Sequence, residues 1–240
     1  MIDYKLLIIP DVHGRTFWKD ATDRYGDKVE NIVFLGDYLD PYPQEGITPE
    51  LAFENFRELL AYAQTDDRVT LLLGNHDLHY LYPQDFERCT RYSSDNAWKI
   101  SHELQLTAQP FRMAFATEVG GKKFLLSHAG VTKSWYERNK ELIGTLTVEH
   151  LDDLRLGGIG FLTLNDLSVY RTWFGGFETG SMVWSDVRER VGAEEDVEGF
   201  EYQIFGHTQL ADEPIITDTW ACIDCRKAFL LTHEGKLQLV

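Results

Sequence analysis

The chain has 240 residues, 43% of them hydrophobic, and carries 23 Lys and Arg against 39 Asp and Glu, a formal net charge of −16. That size and apolar content suit one globular domain, residues 1–240, with an insertion and a substantial core of its own. The negative balance disfavours broad binding to nucleic acid phosphates, and no segment approaches the roughly 20 apolar residues that cross a bilayer. Cys89, Cys222 and Cys225 make an odd set with no disulfide framework. The first apolar run is shorter than a signal-peptide core and ends at Pro10-Asp11. A cytoplasmic protein is therefore expected.

Five short apolar runs, bounded by turn formers, read as buried strands: Tyr4 to Pro10, Ile32 to Leu35, Val69 to Leu73, Lys123 to Leu126 and Tyr202 to Phe205. A helix is predicted from about Thr16 to Arg24. A second spans Thr48 to Thr65, with Thr48 as cap, Pro49 in the first turn, and Leu51, Phe56, Leu59 and Leu60 as its apolar face. A third lies around Asn96 to Leu104. Thr117 to His128 reads as a hairpin turning at Gly120-Gly121. The long interval from Val131 to Gly180 contains Trp135, Tyr136, Tyr170, Trp173, Phe174 and Phe177, and reads either as a lid or cap or as helical packing against the core. Glu194-Glu-Asp196 reads as a solvated loop. Cys222-Ile-Asp-Cys225 lacks the second ligand pair of a structural zinc site and sits in a turn leading to a C-terminal strand, so packing cysteines are expected.

Each of the five strand-like runs hands over to oxygen or imidazole donors: Asp11-Val-His13-Gly14, Gly36-Asp37-Tyr-Leu-Asp40, Gly74-Asn75-His76-Asp77, Ser127-His128-Ala-Gly130 and Gly206-His207-Thr208. Ligands of α/β sheets collect beyond the carboxyl ends of strands, where side chains can converge. The adjoining glycines suit tight turns, and Asp11 and His13 share one face as their strand ends. Any one of these donors alone reads as a capping or hydrogen-bonded core residue; the ordered set reads as a metal site. Carboxylate, amide oxygen and imidazole, with no thiolate, suit manganese first, with iron and zinc as alternatives. The donors outnumber the needs of one tetrahedral ion, which points to two ions about 3.5–4 Å apart, with Asp37 and a solvent molecule as bridges. Such solvent loses a proton near neutral pH and can attack a phosphoryl group. His76 follows Asn75 directly, the position of a general acid, with Asp40 as the carboxylate that orients its ring.

In order, Asp-x-His, Gly-Asp, Gly-Asn-His-Asp, a later His and Gly-His resemble the calcineurin-like metallophosphoesterase superfamily from about Leu6 to Thr208. The resemblance implies an α/β fold, a sandwich of two mixed β-sheets flanked by helices. It also implies that Asp11, His13 and Asp37 hold one metal, that Asp37, Asn75, His128 and His207 hold a second, and that His76 and Asp40 are the acid pair. Asp11-Val-His-Gly14, Gly36-Asp-Tyr-Leu-Asp40, Val183-Trp-Ser-Asp186 and Gly206-His-Thr-Gln209 are most similar to the serine/threonine phosphoprotein phosphatase branch, which includes bacteriophage phosphatases and symmetric dinucleoside tetraphosphatases. Several nuclease and diesterase branches carry a second His where Gln209 stands, which favours a monoesterase or pyrophosphohydrolase. Pro41 occupies the place of that branch's phosphate-binding arginine. Arg188, Arg15, Arg171 and Arg226 are the candidate replacements, because a planar guanidinium matches phosphate bidentately; a surface salt bridge is the plain alternative for each.

The resulting expectation is a metal-dependent phosphatase of phosphomonoesters, with phosphoserine or phosphothreonine proteins as the suggested substrate. A dinucleoside polyphosphate, or another nucleotide, is the runner-up. A non-catalytic interaction module on the same fold is opposed by the intact donor set and His76, and a nucleic-acid repair phosphatase by the charge.

Overall fold

The structure is a computed structural model and describes residues 2–107, 111–170 and 179–240. The chain forms two compact units, Met1–Phe111 with Arg226–Val240, and Arg112–Cys225.

The first unit begins β1 (Tyr4–Ile9), α1 (Phe17–Tyr25), β2 (Val29–Phe34), α2 (Pro49–Thr65), β3 (Val69–Leu71), α3 (Asn75–Leu81) and α4 (Ala97–Leu106). It ends with β9 (Phe229–Leu231) and β10 (Leu237–Leu239). The sheet order is β10-β9-β1-β2-β3, parallel across β1, β2 and β3 and antiparallel through β9 and β10. Parallel strands covered on both faces read as continuous apolar runs, and Leu6 to Ile9 and Ile32 to Leu35 are fully buried. Ile9 pairs with Phe34 and Phe34 with Leu71, so the carboxyl ends of three strands lie side by side.

Thr48 caps α2 as expected, its hydroxyl accepting from the Leu51 N–H at 3.2 Å. The apolar face needs a correction, because Leu51 is 59% exposed. The buried stripe is Ala52, Asn55, Phe56, Leu59, Leu60 and Ala63, a helical spacing that leaves Leu51 one residue off the face. β2 also starts earlier than its apolar run, at Val29, because pairing with β1 extends to Tyr4.

The second unit contains β4 (Ala114–Val119), β5 (Lys122–Ser127), α5 (Lys133–Ile143), α6 (Val148–Asp153), α7 (Ile159–Leu164), β6 (Tyr202–Phe205), β7 (Ile215–Ile216) and β8 (Trp220–Cys222). Its sheet order is β4-β5-β6-β8-β7, with β5, β6 and β8 parallel. The hairpin turns at Gly120 and Gly121, both with positive φ, which suits a two-residue turn between twisted strands. Its first arm begins at Ala114, ahead of the expected Thr117, since Ala114 pairs with Ser127. In α5 Trp135 is fully buried and donates to the Thr163 carbonyl at 3.2 Å, so packing within this unit accounts for it. Trp173, Phe174 and Phe177 lie outside the described residues.

Two mixed five-stranded sheets flanked by helices are thus present, the α/β architecture expected. Cys89, Cys222 and Cys225 are buried, and among the described residues none is in a disulfide. Among the described residues no helix is long and apolar enough to cross a membrane.

Gly36 sets how closely the loops after β2 and β3 approach. Its φ is +104°, and an added Cβ would lie 2.5 Å from the Gly74 nitrogen. Gly46, at φ +70°, has nothing within 4 Å of the same atom. Gly46→Ala should therefore cost only the left-handed backbone strain, about 1–2 kcal/mol. Gly36→Ala should cost clearly more, because backbone must move. Equilibrium urea unfolding of the two variants measures the difference, and equal losses would contradict a steric role for Gly36.

Candidate metal centre and acid pair

The parallel ends of β1, β2 and β3 carry Asp11 to His13, Asp37 to Asp40 and Asn75 to Asp77 on three adjacent loops. Asp77 binds them together. Its Oδ2 accepts from the Asp37 and Gly74 N–H groups, each at 2.8 Å, and its Oδ1 accepts from the Tyr38 N–H at 3.1 Å. Burial and the nearby Asp37 carboxylate push the Asp77 pKa up, while these N–H groups oppose the rise. In return the His76 N–H donates to Asp37 Oδ1 at 2.9 Å. The backbone N–H groups of Val12 and His13 donate to the Asp37 carbonyl, at 3.1 and 2.7 Å.

This bonding holds unusual backbone. His13, Asp37 and Asp40 have φ of 44°, 53° and 57°, the left-handed region that non-glycine residues seldom adopt. Such conformations persist only where the surroundings over-determine them, and they cluster at functional sites.

Asp11, His13 and Asp37 are buried and can each offer a ligand atom within 4.8 Å of the others. His13 Nδ1 lies 2.7 Å from the Leu39 carbonyl, to which it donates, so its Nε2 lone pair faces the cluster and stands 3.5 Å from Asp37 Oδ2. Burial, then the His76 and Arg91 charges, hold the His13 pKa well below its usual value. Two carboxylates and a neutral imidazole in a buried pocket are a donor set for a divalent cation. Asn75 is fully buried at the start of α3, with its Nδ2 3.1 Å from the Cys89 sulfur. That contact uses one of the amide N–H groups and orients the side chain.

His76 and Asp40 form the expected pair, Nδ1 to Oδ2 at 2.7 Å. Asp40 also accepts from the Tyr80 hydroxyl at 2.5 Å, and His79 Nε2 stands 2.9 Å from its Oδ2, at ion-pair distance but without hydrogen-bond alignment. The Cys89 N–H donates to His79 Nδ1 at 3.0 Å, which leaves the His79 proton on Nε2, facing Asp40. Tyr80 and Tyr92 stack at 4.7 Å behind the carboxylate. Burial beside Asp40 raises the Tyr80 pKa, so its hydroxyl stays a donor.

In the second unit β5 and β6 are parallel neighbours, and their ends bring His128 and His207 together. The Gly206 N–H donates to the His128 carbonyl at 2.7 Å, and His128 Nε2 lies 3.1 Å from His207 Nδ1. His207 has φ 65°, another left-handed donor residue, with the Trp184 ring 6.0 Å away edge-on.

The named arginines fare differently. Arg15 is 8% exposed and its fork is committed to Glu45, at 2.8 and 2.9 Å. Arg188 pairs with Asp186 at 2.8 and 2.6 Å and lies over the Tyr170 ring. Arg226 lines a groove with Phe17, Asp20 and Arg24 along α1, which none of the candidate ligands lines. Arg171 lies outside the described residues. Asp77, Tyr80, Cys89 and Arg91 were given no role from sequence. Asp77 could have been found within Gly74-Asn75-His76-Asp77, and Tyr80 lies four residues after His76 on the same helix; Cys89 and Arg91 follow α3 with no spacing that marks them.

A model of the calcineurin-like phosphoesterase family matches residues 4–210. The chain belongs to this family. As a member it is a metal-dependent hydrolase, and the family's metal centre is dinuclear. No protein of curated function matches the chain in sequence. Among solved structures, a cold-active protein tyrosine phosphatase superposes with a TM-score of 0.55 at 15% identity, covering 99% of this chain and 78% of that one. A protein serine/threonine phosphatase from Saccharomyces cerevisiae, similar to human PP5, gives 0.50 at 11% identity, covering 97% and 74%. These likenesses are of fold.

Replacing Asp77 by Asn would turn a donor toward N–H groups that now meet carboxylate oxygen. Asp77→Asn should destabilise the chain by about 2–3 kcal/mol and lower its metal content. Urea unfolding and metal analysis by mass spectrometry check both, and a variant with wild-type stability would contradict the bonding role.

Proposed function

We propose that the chain hydrolyses phosphomonoesters, with phosphoserine or phosphothreonine proteins as the substrate class its motifs suggest. The observation that carries the reading is the buried Asp40–His76 pair at 2.7 Å, next to the Asp11, His13 and Asp37 donors. Asp11, His13 and Asp37 would hold one divalent ion. Asp37, Asn75, His128 and His207 would hold the second, the roles of His128 and His207 resting on the motif correspondence. Manganese suits this oxygen and imidazole set, with iron and zinc as alternatives. When bound, the ions supply charge stabilisation to a phosphoryl group and an activated water.

The protein side of the chemistry is proton delivery. Asp40 takes the His76 Nδ1 proton in a hydrogen bond, which fixes the ring and favours its protonated form. Nε2 is then the atom that gives a proton to the departing alkoxide. His79 and Tyr80, both on Asp40, keep that carboxylate from turning away. Gln209, in place of the histidine of several diesterase branches, favours monoesters.

Turnover of p-nitrophenyl phosphate with manganese, abolished by chelator and restored by added ion, is the expected result; inactivity across divalent ions would refute the reading. His76→Ala should slow an alkyl phosphate by about 10²–10⁴-fold, and p-nitrophenyl phosphate much less, because nitrophenoxide leaves without needing a proton. Equal losses on both would exclude His76 as the acid. A panel of phosphopeptides, diadenosine tetraphosphate, cyclic nucleotides and phosphorylated RNA ends separates the monoester reading from nucleotide hydrolysis.

A further inference from the structure

We propose that Arg91 grips the substrate phosphoryl group beside His76, taking the place of the arginine that Pro41 displaces. The proposal rests on the phosphomonoester reading. Arg91 lies between α3 and α4, 51 positions from Asp40, yet its Nε donates to the Asp40 carbonyl at 2.9 Å. Its guanidinium lies 3.9 Å from the centre of the Tyr42 ring, and Nη1 donates to Thr90 Oγ1 at 3.2 Å. Nη2 stands 3.4 Å from His76 Nε2, the atom assigned to proton delivery.

Three features separate Arg91 from Arg15 and Arg188. Arg15 and Arg188 each have a carboxylate across the fork, whereas among the described residues no carboxylate pairs with Arg91. A guanidinium has five N–H donors, and the Asp40 carbonyl and Thr90 use two of them. Of the three that remain, two are on Nη2, which stands beside His76. Arg91 also has φ 67°, a strained backbone held by the carbonyl and the aromatic ring that fix the side chain.

A half-buried cation with open donors is matched by an anion. Nε2–H of protonated His76 and Nη2–H of Arg91 are close enough to meet adjacent oxygens of a single phosphoryl group. The leaving-group oxygen would take the proton from His76, and a neighbouring oxygen would be held by Arg91. Sequence position alone hides this, because the missing clamp is replaced from a different loop.

The test uses Arg91→Ala and Arg91→Lys of the full chain, with p-nitrophenyl phosphate as substrate and inorganic phosphate as inhibitor. Binding of inorganic phosphate to each manganese-loaded protein is measured in parallel by calorimetry. Arg91→Ala should raise KM and the phosphate inhibition constant together by at least tenfold. Its metal content and its unfolding midpoint without phosphate should match wild type. Arg91→Lys should recover part of the phosphate affinity, since it keeps the charge and loses the fork. Unchanged KM and phosphate affinity in Arg91→Ala would overturn the proposal. So would a lower kcat and unfolding midpoint with phosphate affinity intact, which is the signature of a packing role. If wild type hydrolyses no monoester yet binds phosphate through Arg91, the functional reading fails and the clamp stands; active wild type with an indifferent Arg91→Ala is the reverse.

Discussion

The loops of the first unit are organised around one buried side chain, the carboxyl group of Asp77. It accepts three backbone N–H groups, two from the turn after β2 and one from the turn after β3. In a buried setting these hydrogen bonds are not diluted by competing water. Parallel strand pairing brings the turns side by side, but adjacency alone would not hold Asp37 and Asp40 in left-handed backbone. The Asp77 bonds and the close Gly36–Gly74 approach supply that restraint.

Charge is arranged in layers around this frame. Asp11 and Asp37 face a neutral His13, while Asp40, one turn away, faces His76, His79 and Tyr80. The first group suits a cation from outside the chain, and the second suits a proton held by the chain. Their hydrogen bonds decide which is which: His13 gives its Nδ1 proton to a backbone carbonyl, whereas His76 gives its own to a carboxylate. A carbonyl leaves an imidazole neutral, and a carboxylate favours the protonated ring.

Much of this was legible in the sequence. Apolar runs followed by Asp, His or Asn marked the strand ends, because burial on both faces requires an uninterrupted apolar strand and chemistry requires an exit from it. The capped start of α2 and the Gly120-Gly121 turn were equally readable, being local in origin. Leu51 was misread because hydrophobicity alone does not set helix phase; the stripe is fixed by what the sheet covers, and Asn55 belongs to it. The partners of Asp40 were not legible, since His79 and Tyr80 face it from α3 and Arg91 from the segment between α3 and α4, contacts that only tertiary packing brings about. Arginines near the motifs drew notice by proximity in sequence, yet Arg15 and Arg188 are occupied by Glu45 and Asp186.

Asp40 presents two faces of one residue to two neighbours: its side chain to His76, and its main-chain carbonyl to Arg91. A substitution at position 40 can alter the first contact but cannot remove the second, since every residue keeps a carbonyl. His76 and Arg91 therefore share one anchoring stretch of backbone at Asp40. A shift of the segment from Asp37 to Tyr42 therefore moves the settings of His76 and Arg91 together, not one at a time.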